Sequence, residues 1–109
     1  MSTELGTKKV VLLIPLKLND GSPVPKEVLA SIGVRLYGLC SGYTNRGPVI
    51  GAYRMADGRK QTDPSREIWC LVQPSQLDQL RDLVRQFGRE LGQESMYFEV
   101  TGSEVDFIS

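Results

Sequence analysis

The dipeptide Asp57-Gly58 lies between two runs of extended character, residues 49–55 and 60–73. Asp-Gly flanked by such runs is a strong hairpin signal, because the tight turn needs residues that accept positive φ. Within the second run, Ile68, Cys70 and Val72 alternate with Trp69 and Leu71. Both sides of that strand are therefore apolar, which predicts a central strand covered twice or a strand with another copy of the chain on its second side. Pro64 interrupts the run and suggests a bulge there.

The flanking segments fit around this hairpin. Residues 9–18 alternate Val10, Leu12, Ile14, Leu16 and Leu18 and predict a first strand, with Pro15 at or past the end of its pairing. Asn19-Asp20-Gly21-Ser22-Pro23 is a turn cluster. Residues 25–39 predict a helix, with Val28, Leu29, Ile32 and Leu36 at helical spacing and Gly33 as a weak point. Residues 75–91 predict a second helix from Leu77, Leu80, Val84, Phe87 and Leu91, with Ser75 and Asp78 as a capping box and Gly92 as the stop. Arg81, Arg85 and Arg89 fall among Asp78, Asp82 and Glu90, the pattern of a solvated face with ion pairs. Residues 95–100 predict a fourth strand and residues 104–108 a short C-terminal one, while residues 1–7 are expected to be flexible. The order β-α-β-β-α-β is the α+β, ferredoxin-like pattern in a single domain: an antiparallel sheet with two helices on one face. One face of the sheet stays uncovered, and Leu13, Tyr53, Trp69, Leu71 and Tyr97 are assigned to it. An exposed apolar face of that size predicts a homo-oligomer through the open sheet.

Composition removes several chemistries. The chain has 109 residues, with 13 Lys plus Arg, 13 Asp plus Glu and no histidine. Triads and metal sites built on histidine are excluded. Zero net charge provides no field for a phosphate backbone and argues against nucleic acid. Cys40 and Cys70 form neither a CxxC nor a disulfide framework, and two buried or half-buried thiols are expected. No metal or cofactor is assigned. The apolar run beginning at Val10 is short and holds Pro15 and Lys17, so no membrane span is expected and a soluble, cytoplasmic protein is.

The candidate binding residues are Tyr43, Thr44, Arg54, Asp63, Ser65, Gln93 and Glu94. A two-residue turn at Asp57-Gly58 makes paired residue numbers sum to 115, which sets Arg54 opposite Gln61 and diagonal to Asp63 on one sheet face. That pair is either a structural ion pair or part of a site. Gln93 and Glu94 lie between a helix stop and an edge strand, on the far side of the sheet from the outer hairpin strand. They reach the hairpin only if loops bend over or a partner subunit brings them. Tyr43 and Thr44 form a polar lip before the second strand.

The run Gly51-Ala52-Tyr53-Arg54, Asp57-Gly58 and Asp63-Pro64-Ser65-Arg66 resembles the G-x-W-R, D-G, E-P-S-K pattern of a bacterial family of small proteins of unknown function. Leu91-Gly92-Gln93-Glu94-Ser95 is similar to the F-G-Q-E-S run of that family, and Gly42-Tyr43-Thr44 to its G-L-T. Tyr53, Asp63 and Arg66 depart from the usual Trp, Glu and Lys. The resemblance implies a ferredoxin-like fold and no activity.

Three functions follow from these residues. The first is a non-catalytic interaction or regulatory module, homo-oligomeric, binding a protein or small ligand. The second is a small enzyme in which Arg54 orients an anion and Asp63 or Glu94 acts as base at the hairpin or a subunit interface. The third is RNA binding by stacking on Tyr53, Trp69 and Tyr97, which the charge balance opposes.

Overall fold

The computed structural model describes residues 6–54, 56–102 and 108. Among them the elements are β1 (Lys8–Pro15), α1 (Lys26–Cys40), β2 (Thr44–Arg54), β3 (Lys60–Val72), a 3-10 turn (Pro74–Gln76), α2 (Leu77–Glu90) and β4 (Tyr97–Gly102). The four strands form one antiparallel sheet in the order β2-β3-β1-β4. This is the ferredoxin-like α+β architecture the alternating and helical periodicities predict. The C-terminal strand expected at 104–108 falls outside the described residues except Ile108, which is exposed and not in a strand. Thr7, expected in a flexible leader, is instead buried.

The core lies between the sheet and the two helices. Val10, Leu12 and Ile14 of β1 and Ile68, Cys70 and Val72 of β3 meet Ile32 and Leu36 of α1 and Leu80, Val84 and Phe87 of α2, all buried. Burying a side chain of this size contributes roughly 1.5–3 kcal/mol. Gly33 is also buried, because the Tyr43 phenol lies against α1 at that position: a Cβ there would stand 2.6 Å from the Tyr43 hydroxyl.

The two ends of α2 are tied to the C-terminal half of α1. Arg35 of α1 makes a bidentate pair with Glu90 of α2, at 2.8 and 3.1 Å, and its guanidinium lies 4.8 Å from the centre of the Phe87 ring. Glu90 thus leaves the solvated ion-pair face expected of α2, while Arg81–Asp78 and Arg85–Asp82 keep to it. The capping box also moves. The Gln73 N–H donates to Gln76 Oε1 at 2.9 Å, and Gln76 Nε2 donates to the Leu39 carbonyl at 3.2 Å, so Gln73/Gln76 replaces Ser75/Asp78. The end of α2 is a Schellman motif on Gly92 (φ +68°): Gln93 N–H donates to Gly88 O at 2.8 Å and Gly92 N–H to Arg89 O at 3.2 Å.

The hairpin departs from expectation in register. Arg54 pairs with Lys60 and Gly51 with Asp63, so paired numbers sum to 114 rather than 115. The loop is not a two-residue turn. Asp57 Oδ1 accepts the Arg59 N–H at 3.0 Å and Gly58 takes φ +86°, an Asx turn inside a longer connection. The bulge expected at Pro64 lies instead at Arg46, between Asn45 and Gly47, where Gly47 has φ +93°. Pro64 is tolerated without one. Its carbonyl accepts the Leu16 N–H at 3.0 Å, so its ring nitrogen also faces the β1 side, just where that strand has ended at Pro15.

The β2–β3 arm outruns the sheet. β1 stops opposite Ser65, and five further pairs, Ile50 with Pro64 through Arg54 with Lys60, join β2 to β3 with no other strand beside them among the described residues. The molecule is elongated accordingly, 48 × 30 × 25 Å.

Candidate functional site

The side chains that converge most closely on polar chemistry lie where β1 ends. With β1 gone after Pro15, the open side of the sheet drops between the β3 arm and the loop leading into β4. The result is a groove of about 660 Å³. Asp63 and Ser65 enter it from β3, because residues two apart on a strand share a face. Lys17 and Asn19 enter from the β1–α1 turn, Gln93 from the α2–β4 loop and Tyr97 from β4. Leu13 gives it an apolar wall.

The groove is held in shape by hydrogen bonds across long sequence separations. Asn19 Nδ2 donates to the Gly92 carbonyl at 2.7 Å, and Gln93 Nε2 donates to Asn19 Oδ1 at 3.3 Å. Asp20 fixes the turn from the other side, accepting the Ser22 N–H at 2.9 Å and the Ser22 hydroxyl. These hydrogen bonds hold the Asp20 carboxyl below its ordinary value. On β3, Gln61 Nε2 donates to Asp63 Oδ1 at 3.0 Å. Ser65 is 9% exposed, at the bottom of the groove.

Three of the candidate residues, Asp63, Ser65 and Gln93, therefore meet in one subunit. Of the two routes expected to bring the 92–95 loop to the hairpin, loops bending over or a partner subunit, the first suffices. The hairpin contributes its inner strand, β3, and only the width of β1 separates β3 from β4. The remaining candidates lie elsewhere. Arg54 and Asp63 project from opposite faces of the hairpin, because a one-residue change of register moves every side chain to the other face. Ile50 likewise lies on the face opposite Ser65. Glu94 is exposed and lines a second cleft between α2 and β4, with Arg85 and Arg89. Thr44 opens β2, exposed, opposite Trp69. Tyr43 packs on Gly33 and lines a third, smaller cavity. From the sequence, neither Lys17, placed near the end of the first strand, nor Asn19, placed in the turn cluster, is singled out.

The open face carries the apolar set assigned to it. By register Val11, Leu13, Val49, Trp69, Leu71 and Tyr97 share it, with Tyr53 at a position of the same side. Lys9 lies 4.9 Å over the Trp69 ring. Such a groove can orient a small polar ligand through amides, a hydroxyl, a carboxylate and one ammonium. Among the described residues no group of three or more His, Cys, Asp or Glu could hold a metal ion, and no helix is long and apolar enough to cross a membrane.

No protein-family model matches the chain. No curated protein sequence matches it. Solved structures do share its fold. A phage SAM lyase in complex with S-methyl-5′-thioadenosine is 15% identical, with a TM-score of 0.69 over 89% of this chain and 81% of that one. CutA1 from the psychrotrophic bacterium Shewanella sp. SIB1 is 12% identical, with a TM-score of 0.72 over 96% and 88%. The periplasmic divalent cation tolerance protein CutA from Archaeoglobus fulgidus is 12% identical, with a TM-score of 0.69 over 93% and 87%. At such identities the likeness establishes the ferredoxin-like fold.

Proposed function

We propose that the chain is a non-catalytic interaction or regulatory module that assembles with copies of itself through the open sheet face and holds a small ligand in the groove beside it. The observation that carries this reading is the β2–β3 arm. A two-stranded ribbon is marginal in water by itself, and among the described residues five of its pairs have no third strand beside them. The apolar positions of the open face continue toward the arm, and zero net charge leaves little repulsion between copies. A second copy covering the face would bury Leu13, Trp69 and Leu71 and steady the arm.

The alternative, a small enzyme with an arginine–carboxylate pair at the hairpin, loses support within one subunit because Arg54 and Asp63 diverge. The names of the structural neighbours supply two ligand probes, a divalent cation and S-methyl-5′-thioadenosine. The groove favours the second kind of molecule, with its hydrogen-bonding edges and apolar parts, over a cation, for which Asp63 is the one carboxylate in the lining among the described residues.

Light scattering coupled to size-exclusion chromatography tests the assembly. The wild type is expected as a defined oligomer, and Leu71→Arg, which sets a charge among the apolar residues of the open face, as a folded monomer by circular dichroism. A wild-type protein that stays monomeric at its highest soluble concentration sinks the proposal. Calorimetric titration with the thioadenosine then tests the groove, with Asp63→Asn as the control.

A further inference from the structure

The side of the sheet that faces the helices has a cavity of its own, which shares no lining residue with the groove. It lies where the first turns of α1 pass over β2 and β3 and has a volume of about 260 Å³. Ile14, Leu29, Ile32 and Ile68 make its apolar wall. Its polar lining is Lys26, Tyr43, Asn45 and Arg66, without a single Asp or Glu among the described residues. Two cations thus face one small space with no anion to balance them there.

Arg66 is the centre of the argument. It projects from the helix-facing side of β3, between Ile14 of β1 and Pro48 of β2. Its Nε is buried and meets no hydrogen-bond partner among the described residues. Native structures leave few buried donors without an acceptor, and a charged donor is the costliest to leave so. Asn45 adds to the same polarity. Its Oδ1 already accepts the Gly47 N–H at 2.8 Å, which leaves its NH2 group to donate. The polar lining therefore offers guanidinium, ammonium and amide donors and lacks a carboxylate acceptor.

We propose that this cavity binds a short-chain aliphatic monocarboxylate, with the carboxylate on Arg66 and Lys26 and the alkyl tail against Ile14, Leu29, Ile32 and Ile68. A planar guanidinium fits a carboxylate through two parallel hydrogen bonds. The volume matches roughly nine water molecules at ~30 Å³ each, which admits an acid of about four to six carbons and excludes a nucleotide. Inorganic phosphate would engage the donors and leave the apolar wall unfilled.

The test is a titration of 15N-labelled protein with isovalerate, followed by NMR at the backbone amides and at the Arg66 Nε–H. Saturable shifts at Lys26, Gly33, Asn45 and Arg66 are expected, with a Kd of about 1 mM or tighter. Isoamyl alcohol, which keeps the tail and drops the charge, and inorganic phosphate, which keeps the charge and drops the tail, should each bind at least ~10-fold more weakly. Arg66→Met should weaken isovalerate at least ~10-fold, and Lys26→Gln, at an exposed helix start, about 3-fold. Absence of saturable shifts overturns the proposal. So does equal binding of the alcohol or of phosphate, and so does undiminished binding by a folded Arg66→Met protein. If Arg66→Met does not fold, the three wild-type titrations and Lys26→Gln decide the question alone.

Discussion

Gln93 and Asn19 are 74 residues apart, and the amide of the first donates to the amide oxygen of the second at 3.3 Å. Asn19 in turn donates to the carbonyl of Gly92 at 2.7 Å. One short side chain in the β1–α1 turn thereby holds the loop that carries Gln93 beside the arm that carries Asp63 and Ser65. Asn19→Ala should lower stability by about 1 kcal/mol, the ordinary net value of such a hydrogen bond. Its sharper effect should be local. Amide exchange at Gln93, Glu94 and Ser95 should quicken while exchange in β1 and β3 stays as in the wild type. Unchanged exchange in that loop would show that the Schellman turn on Gly92 holds it unaided.

Gly33 and Tyr43 form a second pair with a definite sign. A methyl group at residue 33 would stand 2.6 Å from the Tyr43 hydroxyl but 3.4 Å from the ring carbon that bears it. Gly33→Ala should therefore destabilise by about 1–3 kcal/mol, the usual range for overpacking, despite a helix-propensity gain of roughly 1 kcal/mol. Tyr43→Phe removes the one atom in conflict. In the Tyr43→Phe background the same Gly33→Ala change should become neutral or stabilising. Denaturant unfolding of the four proteins measures this reversal directly.

Arg54 and Asp63 should be energetically independent, since they lie on opposite faces of the arm. A double-mutant cycle to alanine should give an interaction within about 0.3 kcal/mol of zero. The same cycle on Arg35 and Glu90, where the geometry is bidentate and the side chains are 29% and 46% exposed, should give about 0.5–1 kcal/mol and shrink with added salt. A substantial interaction at Arg54–Asp63 would mean the hairpin takes the other register in solution.

That register shows what could be read from the chain and what could not. Elements and fold class follow from short-range patterns. Leu80, Val84 and Phe87 at steps of four and three make α2 amphipathic, and Val10, Leu12 and Ile14 alternate on β1. Both patterns are local, and packing had only to agree with them. The register depends on how five residues close a loop, and there Asp57 bonding to the Arg59 amide prevailed over the tight Asp-Gly turn. One residue of difference was enough to separate Arg54 from Asp63. The groove depends on the Asn19 bond to Gly92, the corner cavity on a cation between two layers, and the Arg35–Glu90 pair on two helices distant in sequence. None of these leaves a periodic trace.

Cys40 and Cys70 are the last such pair, thirty residues apart, one half-buried and one buried, with each thiol biasing the proton of the other. The Cys70 thiol donates to Cys40 and holds the Cys40 thiol below its ordinary value, while that same bond and burial push Cys70 far above its own. Near neutral pH, iodoacetamide should therefore label half-buried Cys40 first and spare Cys70 until the protein unfolds. The stability consequence has a definite sign. Above about pH 9 the unfolded chain loses both thiol protons, whereas the folded protein keeps the one on Cys70. The native state then binds more protons than the unfolded state, so stability falls as pH rises, by at most about 1.4 kcal/mol per pH unit. The lowered Cys40 value acts in the opposite sense over a narrower range just below that pH, so the decline should begin only once unfolded thiols ionise. Cys70→Ala removes the retained proton. Its stability, lower than that of the wild type at neutral pH because of the cavity left behind, should fall less steeply between pH 8.5 and 10 in the same denaturant titrations. Parallel declines in the two proteins would show that the alkaline loss belongs to lysines and tyrosines instead.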